Sequence, residues 1–477
     1  MHQIVPFMYK SKLITIFKAL PTTQKRQFRK WLISPIHNQH QDVVKLFDFI
    51  YTKRNLSPKS ISKEQAYQYL YGTTTYKDSR MRHVMSFALE TLNRFVSYSQ
   101  IQKDSFLNDF SLIKGYRELQ LDKYAAQSLD KIKKQQKNKS IKNSTFFLQN
   151  YQLEQEFFEQ KSKQQRTNRI NLKEVTRPFT TLFIIHTLKY ACISQTHSNL
   201  RKEAYQIPLL EAVLEEIKGG YYTEIDAIMI YYHSYWALTL TDAEKHFVKL
   251  KEYLLRDQPV LNLIDLKDLY LAALNYCIKK LNIGEEEYVI EALEIYKMGL
   301  RTKILLEENK LSRFAYKNIT ALGLRAKDFD WIRDFIETYA AFVEPKYRTS
   351  YKHYNTAKLH FEQGNQSKAM ELLLQVEYDD IFLNLDAKII LLKIYFANKD
   401  YEAMTSLLDS TRVYLGRKSK SVMSYHQENY KNILRFTQKI SSLSPYNKKA
   451  KSALIEEIKT IRPLTERQWL LSALSQH

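Results

Sequence analysis

Residues 357–373 read AKLHFEQGNQSKAMELL, and residues 392–408, 35 positions further along the chain, read LKIYFANKDYEAMTSLL. In each stretch, a segment with apolar residues on a helical period is followed by a three-residue polar turn and a second such segment. The turns are residues 363–365 and 398–400. The pattern predicts helix, turn and helix twice in the same register.

The same organisation extends outward over most of the chain. From about residue 105 to 440, helical patterns of roughly 10–18 residues alternate with short polar turns. A single hairpin of two helices cannot cover its own apolar stripe, so neighbouring hairpins must stack and leave a curved surface for a partner. We therefore expect an all-α protein with an α-solenoid over 105–440 and C-terminal capping helices over 441–477.

The hairpins resemble those of the tetratricopeptide-like superhelix, whose repeat is about 34 residues. The resemblance is good for residues 348–415 and loose for 105–345, and the usual Trp and Leu-Gly of the first helix and the closing proline are missing. It implies that Lys358 and Lys393, one repeat apart, point into the concave face. With Tyr354 nearby, they would bind an acidic peptide or a C-terminal carboxylate through charge-assisted hydrogen bonds; the alternative is that both lysines are solvated.

The composition argues against an enzyme. Only 9 glycines and 10 prolines occur in 477 residues, which is few for phosphate-binding loops and tight catalytic corners. Neither a GxxxxGK[ST] loop nor a GxGxxG motif is present, and we expect no cofactor and no metal. The two cysteines, Cys192 and Cys277, are too few for a disulfide framework and indicate buried thiols in a reducing compartment. With no signal peptide and no membrane span expected, the predicted location is the cytoplasm.

Residues 1–104 are predicted to form a small basic helical domain. Ser62 and Gln65 make a capping-box pattern for a helix that ends near Gly72. A longer amphipathic helix follows, because the apolar residues between Met81 and Val96 lie within one arc. Residues 42–96 are similar, loosely, to the helical core of winged-helix regulators, although no β-hairpin for a wing follows Val96.

Charge is concentrated in the same region. Residues 1–140 contain 25 basic and 10 acidic side chains, a net charge of +15, whereas the whole chain has +22. This gradient favours an acidic partner at the N-terminal third. The residues that would contact nucleic acid there lie on two helices; they are Lys25, Arg26, Arg29, Lys30, Arg80, Arg82 and Arg94. A solvated or protein-docking basic surface is the alternative.

Residues 30–38 also resemble the opening of uncharacterised bacterial helical proteins of about this size, a resemblance that implies no function. Two classes of function follow from the sequence. The first is a non-enzymatic scaffold that binds a protein or peptide through the concave face of the helical array. The second is a nucleic-acid-binding regulator that uses residues 1–104. The sequence leaves the oligomeric state open.

Overall fold

The computed structural model describes residues 8–58, 60–164, 170–201, 205–240, 242–256, 259, 261–374, 380–418, 424–444 and 446–476. Within these ranges there are 23 α-helices, two short 3-10 helices and one two-stranded β-hairpin. The prediction of an all-α protein is confirmed. The chain divides into two compact units, which we describe separately: unit 1 is residues 1–139 and 148–178, and unit 2 is residues 140–147 and 179–477. The boundaries predicted at 104 and 441 stay predictions.

Unit 1 is helical throughout the part of it that is described. Its elements are a 3-10 helix at Met8–Lys10, α1 (Lys12–Ala19), α2 (Thr22–Ile33), α3 (Gln41–Tyr51), α4 (Lys63–Tyr71), α5 (Asp78–Lys103), α6 (Ser105–Glu118) and α7 (Asp122–Lys137). Two further helices have residues in both units: α8 (Ser144–Gln164) and α9 (Leu172–Arg201).

Local signals set the helix ends of unit 1. The Ser62 hydroxyl accepts a hydrogen bond from the Gln65 N–H at 3.1 Å, and Gly72 ends α4 in the left-handed conformation, both as predicted. Where a wing would follow Val96, α5 continues to Lys103. Helices α1 to α5 share one hydrophobic core, and α6 to α8 have a separate, smaller one.

Unit 2 consists mainly of helical hairpins. Its helices are α10 (Leu210–Lys218), α11 (Asp226–Thr239), α12 (Glu244–Leu254), α13 (Leu263–Asn282), α14 (Tyr288–Arg301), α15 (Arg313–Arg325), α16 (Phe329–Tyr339), α17 (Pro345–Glu362), α18 (Gln366–Leu374), α19 (Ile381–Ala397), α20 (Tyr401–Arg417), α21 (Ser424–Ser441), α22 (Lys448–Thr460) and α23 (Arg467–Gln476), with a 3-10 helix at Ala340–Phe342. Strands β1 (Leu306–Glu307) and β2 (Lys310–Leu311) pair antiparallel between α14 and α15.

The turns inside four successive hairpins of unit 2 share one backbone conformation. Gly284, Lys327, Gly364 and Lys399 all have a positive φ just after the first helix of a hairpin. The next residue's N–H then donates to a carbonyl five residues earlier, as from Asn365 to His360 at 2.8 Å. This is the geometry that ends a helix and satisfies its last carbonyls. The positions are 43, 37 and 35 residues apart, and the longest interval is the one that contains the β-hairpin.

The first helices of these hairpins contact one another along unit 2. Helix α11 contacts α13, α15 contacts α17, and α17 contacts α19, in addition to the contacts within each hairpin. Helices α13 and α15 make little contact, and residues from both line a cavity beside the β-hairpin. Among the helices described, none combines the length and apolar character that crossing a bilayer requires.

Candidate functional site

Three cavities of unit 2 lie along the first helices of the hairpins. Cavity A, about 320 Å³, is lined by α9, α11 and α13, and cavity B, about 770 Å³, by α13, α15 and the β-hairpin. Cavity C, about 570 Å³, is lined by α15, α17, α19 and α21. Cavities A and B share Leu271 and Asn275, while Asn318 of α15 lines B and Lys317 of α15 lines C. We call the three cavities together the unit 2 groove.

Helical spacing explains why the same helices line consecutive cavities. On α17, Tyr347 lines cavity B, whereas Tyr354, Lys358 and Phe361 line cavity C. These positions are separated by 7, 4 and 3 residues, so they share one face of the helix. Tyr351, on the same face, and Leu359 are buried in the core of unit 2.

Cavity C brings together all three residues predicted to bind a peptide. Tyr354 is buried, and Lys358 and Lys393 are partly buried. The two lysines differ in their partners. Lys393 Nζ lies 2.6 Å from Glu466 Oε2, whereas Lys358 has neither an ion pair nor a hydrogen-bonded partner among the residues that are described. Burial lowers the pKa of Lys358, and the carboxylates of Asp386 and Glu466 oppose that shift.

The remaining charges of cavity C are mostly engaged with each other. Lys317 Nζ lies 2.5 Å from Asp386 Oδ2, and the Tyr430 hydroxyl donates to Asp386 Oδ1 at 2.7 Å. Arg325 contacts Glu286. Four cations and three carboxylates line the cavity, and Arg325 is neutralised by Glu286, which is not on the wall. Lys358 and Glu362 are then the two charges of the wall without an ion pair among the described residues, and the Glu362 carboxylate also opposes the lowering of the Lys358 pKa. A ligand carboxylate can make a charge-assisted hydrogen bond with the Lys358 ammonium.

Sequence reasoning missed Lys317, Asp386, Tyr430 and Glu466. Lys317 is 69 residues from Asp386, and Tyr430 is 44 residues from it. No local spacing connects residues so far apart. Only the stacking of hairpins places them on one wall.

Cavity A is largely apolar but contains a buried hydroxyl. Tyr231 is 3% exposed, and its hydroxyl has no hydrogen-bond partner in the part of the chain that the structure describes. Cys192 also lines this cavity and donates to the Tyr231 carbonyl at 3.5 Å. Burial raises the pKa of the Cys192 thiol to about 12, so the thiolate is not available as a nucleophile near neutral pH.

The residues predicted to contact nucleic acid lie on α2 and α5 of unit 1, and several are paired within the protein. Four arginines form ion pairs: Arg29 with Asp48 at 3.4 Å, Arg80 with Asp42 at 3.9 Å, Arg82 with Asp78 at 2.8 Å, and Arg94 with Glu90 at 2.5 Å. Lys25 Nζ donates to the Lys18 carbonyl at 3.2 Å. Arg26 and Lys30 are exposed. The paired arginines would have to exchange a carboxylate for a phosphate, which reduces their net contribution to binding.

Among the described residues, no group of three or more His, Cys, Asp or Glu side chains has the arrangement of a metal site. Comparison of the chain with models of protein families, with curated proteins and with solved structures finds no match in any of the three.

Proposed function

We propose that unit 2 is a tetratricopeptide-like α-solenoid whose unit 2 groove binds a peptide segment of another protein. Three findings support the proposal. Most first helices of successive hairpins contact one another, the exception being α13 and α15; four hairpin turns repeat one conformation, and the three cavities lie along the first helices. An open, partly apolar groove of this kind suits a chain segment better than a compact small molecule.

The observation that carries the proposal is the unpaired ammonium of Lys358 in cavity C. A partly buried charge without an ion pair is unfavourable, and a ligand carboxylate beside it would recover part of that free energy. The ligand that fits is therefore a peptide with an acidic side chain or a free C-terminal carboxylate, flanked by apolar residues for the rest of the groove. This is an interaction function without catalysis, in keeping with the raised pKa of the Cys192 and Cys277 thiols. Two free buried thiols also suit a cytoplasmic protein.

The test is a selection of random dodecapeptides on the immobilised full-length chain, with each selected peptide resynthesised and its affinity measured by fluorescence anisotropy. We expect enrichment of Asp and Glu, or loss of binding when a free C-terminal carboxylate is amidated. Lys358→Met should weaken binding by about tenfold to hundredfold, the equivalent of one hydrogen bond to a charged group.

Lys352→Met is the matched control, because Lys352 lies on the same helix but pairs with Glu337 and does not line the groove. It should leave the affinity unchanged. Selected peptides without acidic groups, or equal affinities for the wild type and Lys358→Met, would contradict the proposal.

The second function predicted from the sequence, docking of nucleic acid by the seven basic residues of α2 and α5, has less support. The ion pairs of Arg29, Arg80, Arg82 and Arg94 occupy most of that predicted surface. The excess charge of the N-terminal third remains to be explained, and a different feature of unit 1 bears on it.

A further inference from the structure

Two histidines stack on aromatic rings beside α5 of unit 1, and the proposed peptide function uses neither pair. The ring centroids of His37 and Trp31 are 3.5 Å apart with planes 5° from parallel, and those of His40 and Phe87 are 4.2 Å apart at 21°. Tyr98 lies 4.6 Å from Trp31. Phe87 and Tyr98 are 11 residues apart on α5, which is about three turns, so they face the same side, roughly 16 Å apart along the axis.

Part of this aromatic surface is open to solvent. Phe87 is 41% exposed and Tyr98 is 43% exposed. Each histidine pair borders a cavity of unit 1: the His37 cavity, about 580 Å³, is lined by Trp31, His37 and Tyr98, and the His40 cavity, about 530 Å³, by His40 and Phe87. Exposed rings beside open cavities provide faces on which a planar ligand can stack.

The polar groups of the His37 cavity favour an anion with hydrogen-bond acceptors. Two lysines line it, Lys30 and Lys103, and both are exposed. No Asp or Glu is among the residues that line it. The indole N–H of Trp31 is buried and has no acceptor within the described ranges. In the His40 cavity, the Arg80 guanidinium lies 3.9 Å from the Tyr71 ring centroid and pairs with Asp42, whose carboxylate also lines that cavity.

We propose that this face of α5 binds a single-stranded nucleic acid. Bases stack on the exposed faces of Tyr98 and Phe87, and phosphates lie beside Lys30 and Lys103. Proteins that bind single strands combine aromatic stacking with a positively charged surface in this way. The charge of +15 on residues 1–140 is complementary to such a partner.

A duplex is the poorer ligand, because its bases are stacked on each other and its edges lie in grooves that separate aromatic rings cannot enter. The site shares Lys30 and Arg80 with the surface predicted from the sequence, but its aromatic residues and Lys103 are additional. The residues of this site belong to unit 1, and none of them lines the unit 2 groove. An experiment that contradicts peptide binding therefore leaves the nucleic-acid proposal untouched, and an experiment that contradicts the nucleic-acid proposal leaves peptide binding untouched.

The experiment measures the anisotropy of three labelled twelve-nucleotide probes with the full-length chain at about 50 mM salt, where phosphate contacts are strong. The probes are a thymidine single strand, the same strand without bases, and a duplex. We expect saturable binding of the thymidine strand, with at least about fivefold weaker binding of the abasic strand and the duplex, because stacking on the rings needs unpaired bases.

Tyr98→Ala and Phe87→Ala should each weaken binding of the thymidine strand by about tenfold. Lys30→Gln with Lys103→Gln should weaken it and make it less dependent on salt. The control is Tyr69→Ala, since Tyr69 is an equally exposed tyrosine of α4 that lines neither cavity. Circular dichroism verifies that each variant keeps its helix content and thermal midpoint.

Equal binding of the thymidine and abasic strands would mean attraction by charge alone and would overturn the proposal. Equal binding of the single strand and the duplex, no saturable binding of any probe, or equal losses in Tyr98→Ala and Tyr69→Ala would do the same.

Discussion

Lys393 Nζ lies 2.6 Å from a carboxylate oxygen of Glu466, and this ion pair distinguishes it from Lys358, its counterpart one repeat earlier, which has no such partner among the described residues. Glu466 belongs to the C-terminal segment just before α23. The segment before α23 thus neutralises Lys393 and not Lys358 in cavity C.

Replacing Lys358 should stabilise the free protein while it weakens ligand binding. Lys358→Met removes a partly buried unpaired charge, and we expect the free energy of unfolding to rise by about 1 kcal/mol. Because burial lowers the pKa of Lys358 below its usual 10.5, the unfolded chain binds more protons than the folded protein between the two values. The free energy of unfolding of the wild type should therefore rise relative to that of Lys358→Met as the pH increases toward 10.5.

Urea unfolding of both proteins between about pH 7 and pH 10 measures this difference. Lys352→Met, which loses an exposed ion pair with Glu337, should change stability by less than about 0.5 kcal/mol. A loss of stability in Lys358→Met would mean that its ammonium is already well paired.

Neutralising Glu466 should strengthen peptide binding. In Glu466→Gln, Lys393 loses its internal carboxylate and can contact the ligand, so a peptide that binds through Lys358 should gain roughly twofold to fivefold in affinity, the value of one partly exposed ion pair. Anisotropy with a selected acidic peptide measures the gain. Glu457→Gln is the control, because Glu457 pairs with Arg435 and Lys439 and does not line cavity C. Equal affinities for Glu466→Gln and the wild type would place the ligand away from Lys393.

Substitutions at two of the positive-φ turn positions, Gly364 and Lys399, should change the free energy of unfolding in opposite directions. A Cβ at Gly364 would meet no atom within 4 Å, but φ is +82° there, so Gly364→Ala should lower the free energy of unfolding by about 1 kcal/mol. Lys399 has φ of 58° with a side chain already present, and Lys399→Gly should raise stability by about 0.5–1 kcal/mol. Urea unfolding of Gly364→Ala, Lys399→Gly and the wild type measures both changes in the free energy of unfolding. Changes of the same sign would mean that the turns are not equivalent.

The His233–His246 pair should make unit 2 sensitive to acid. Their Nδ1 atoms are 3.0 Å apart, which requires one ring to donate and the other to accept. Burial, with the neighbouring His246 and Lys249, lowers the pKa of His233 to about 4. The unfolded state therefore binds more protons between about pH 6.5 and 4, and the stability that neutral His233 contributes, about 2 kcal/mol, is lost as pH falls through this window.

His233→Gln keeps a donor but does not titrate, so its stability should fall less between pH 6.5 and 4 than that of the wild type. His83→Gln, at an exposed position of α5, is the control and should follow the wild type. Thermal unfolding across this range makes the comparison. Parallel curves for His233→Gln and the wild type would show that the pair does not carry the acid response.

Periodicity in the sequence predicted helices and turns over residues 357–408, and the structure has helices there. That Lys358 and Lys393 share one face was implied by the tetratricopeptide resemblance, and both residues line cavity C. Periodicity could not predict the partners of these lysines. Glu466 is 73 residues from Lys393, and its ion pair depends on how the last helices pack. Trp31 is half-buried, and its stacking on His37 depends on the turn between α2 and α3, which helical periodicity does not describe. The β-hairpin at 306–311 gave no recognisable pattern, because each strand has two residues.

The turns of unit 2 constrain the backbone more strictly than the side chain. Lys327 and Lys399 take the same left-handed conformation as Gly284 and Gly364, with the same hydrogen bond after it, although lysine and glycine share no side-chain chemistry. What recurs at these four turns is the handedness of a single backbone position, which either glycine or lysine adopts. The turns therefore fix where each first helix ends more strictly than they fix which residue stands there.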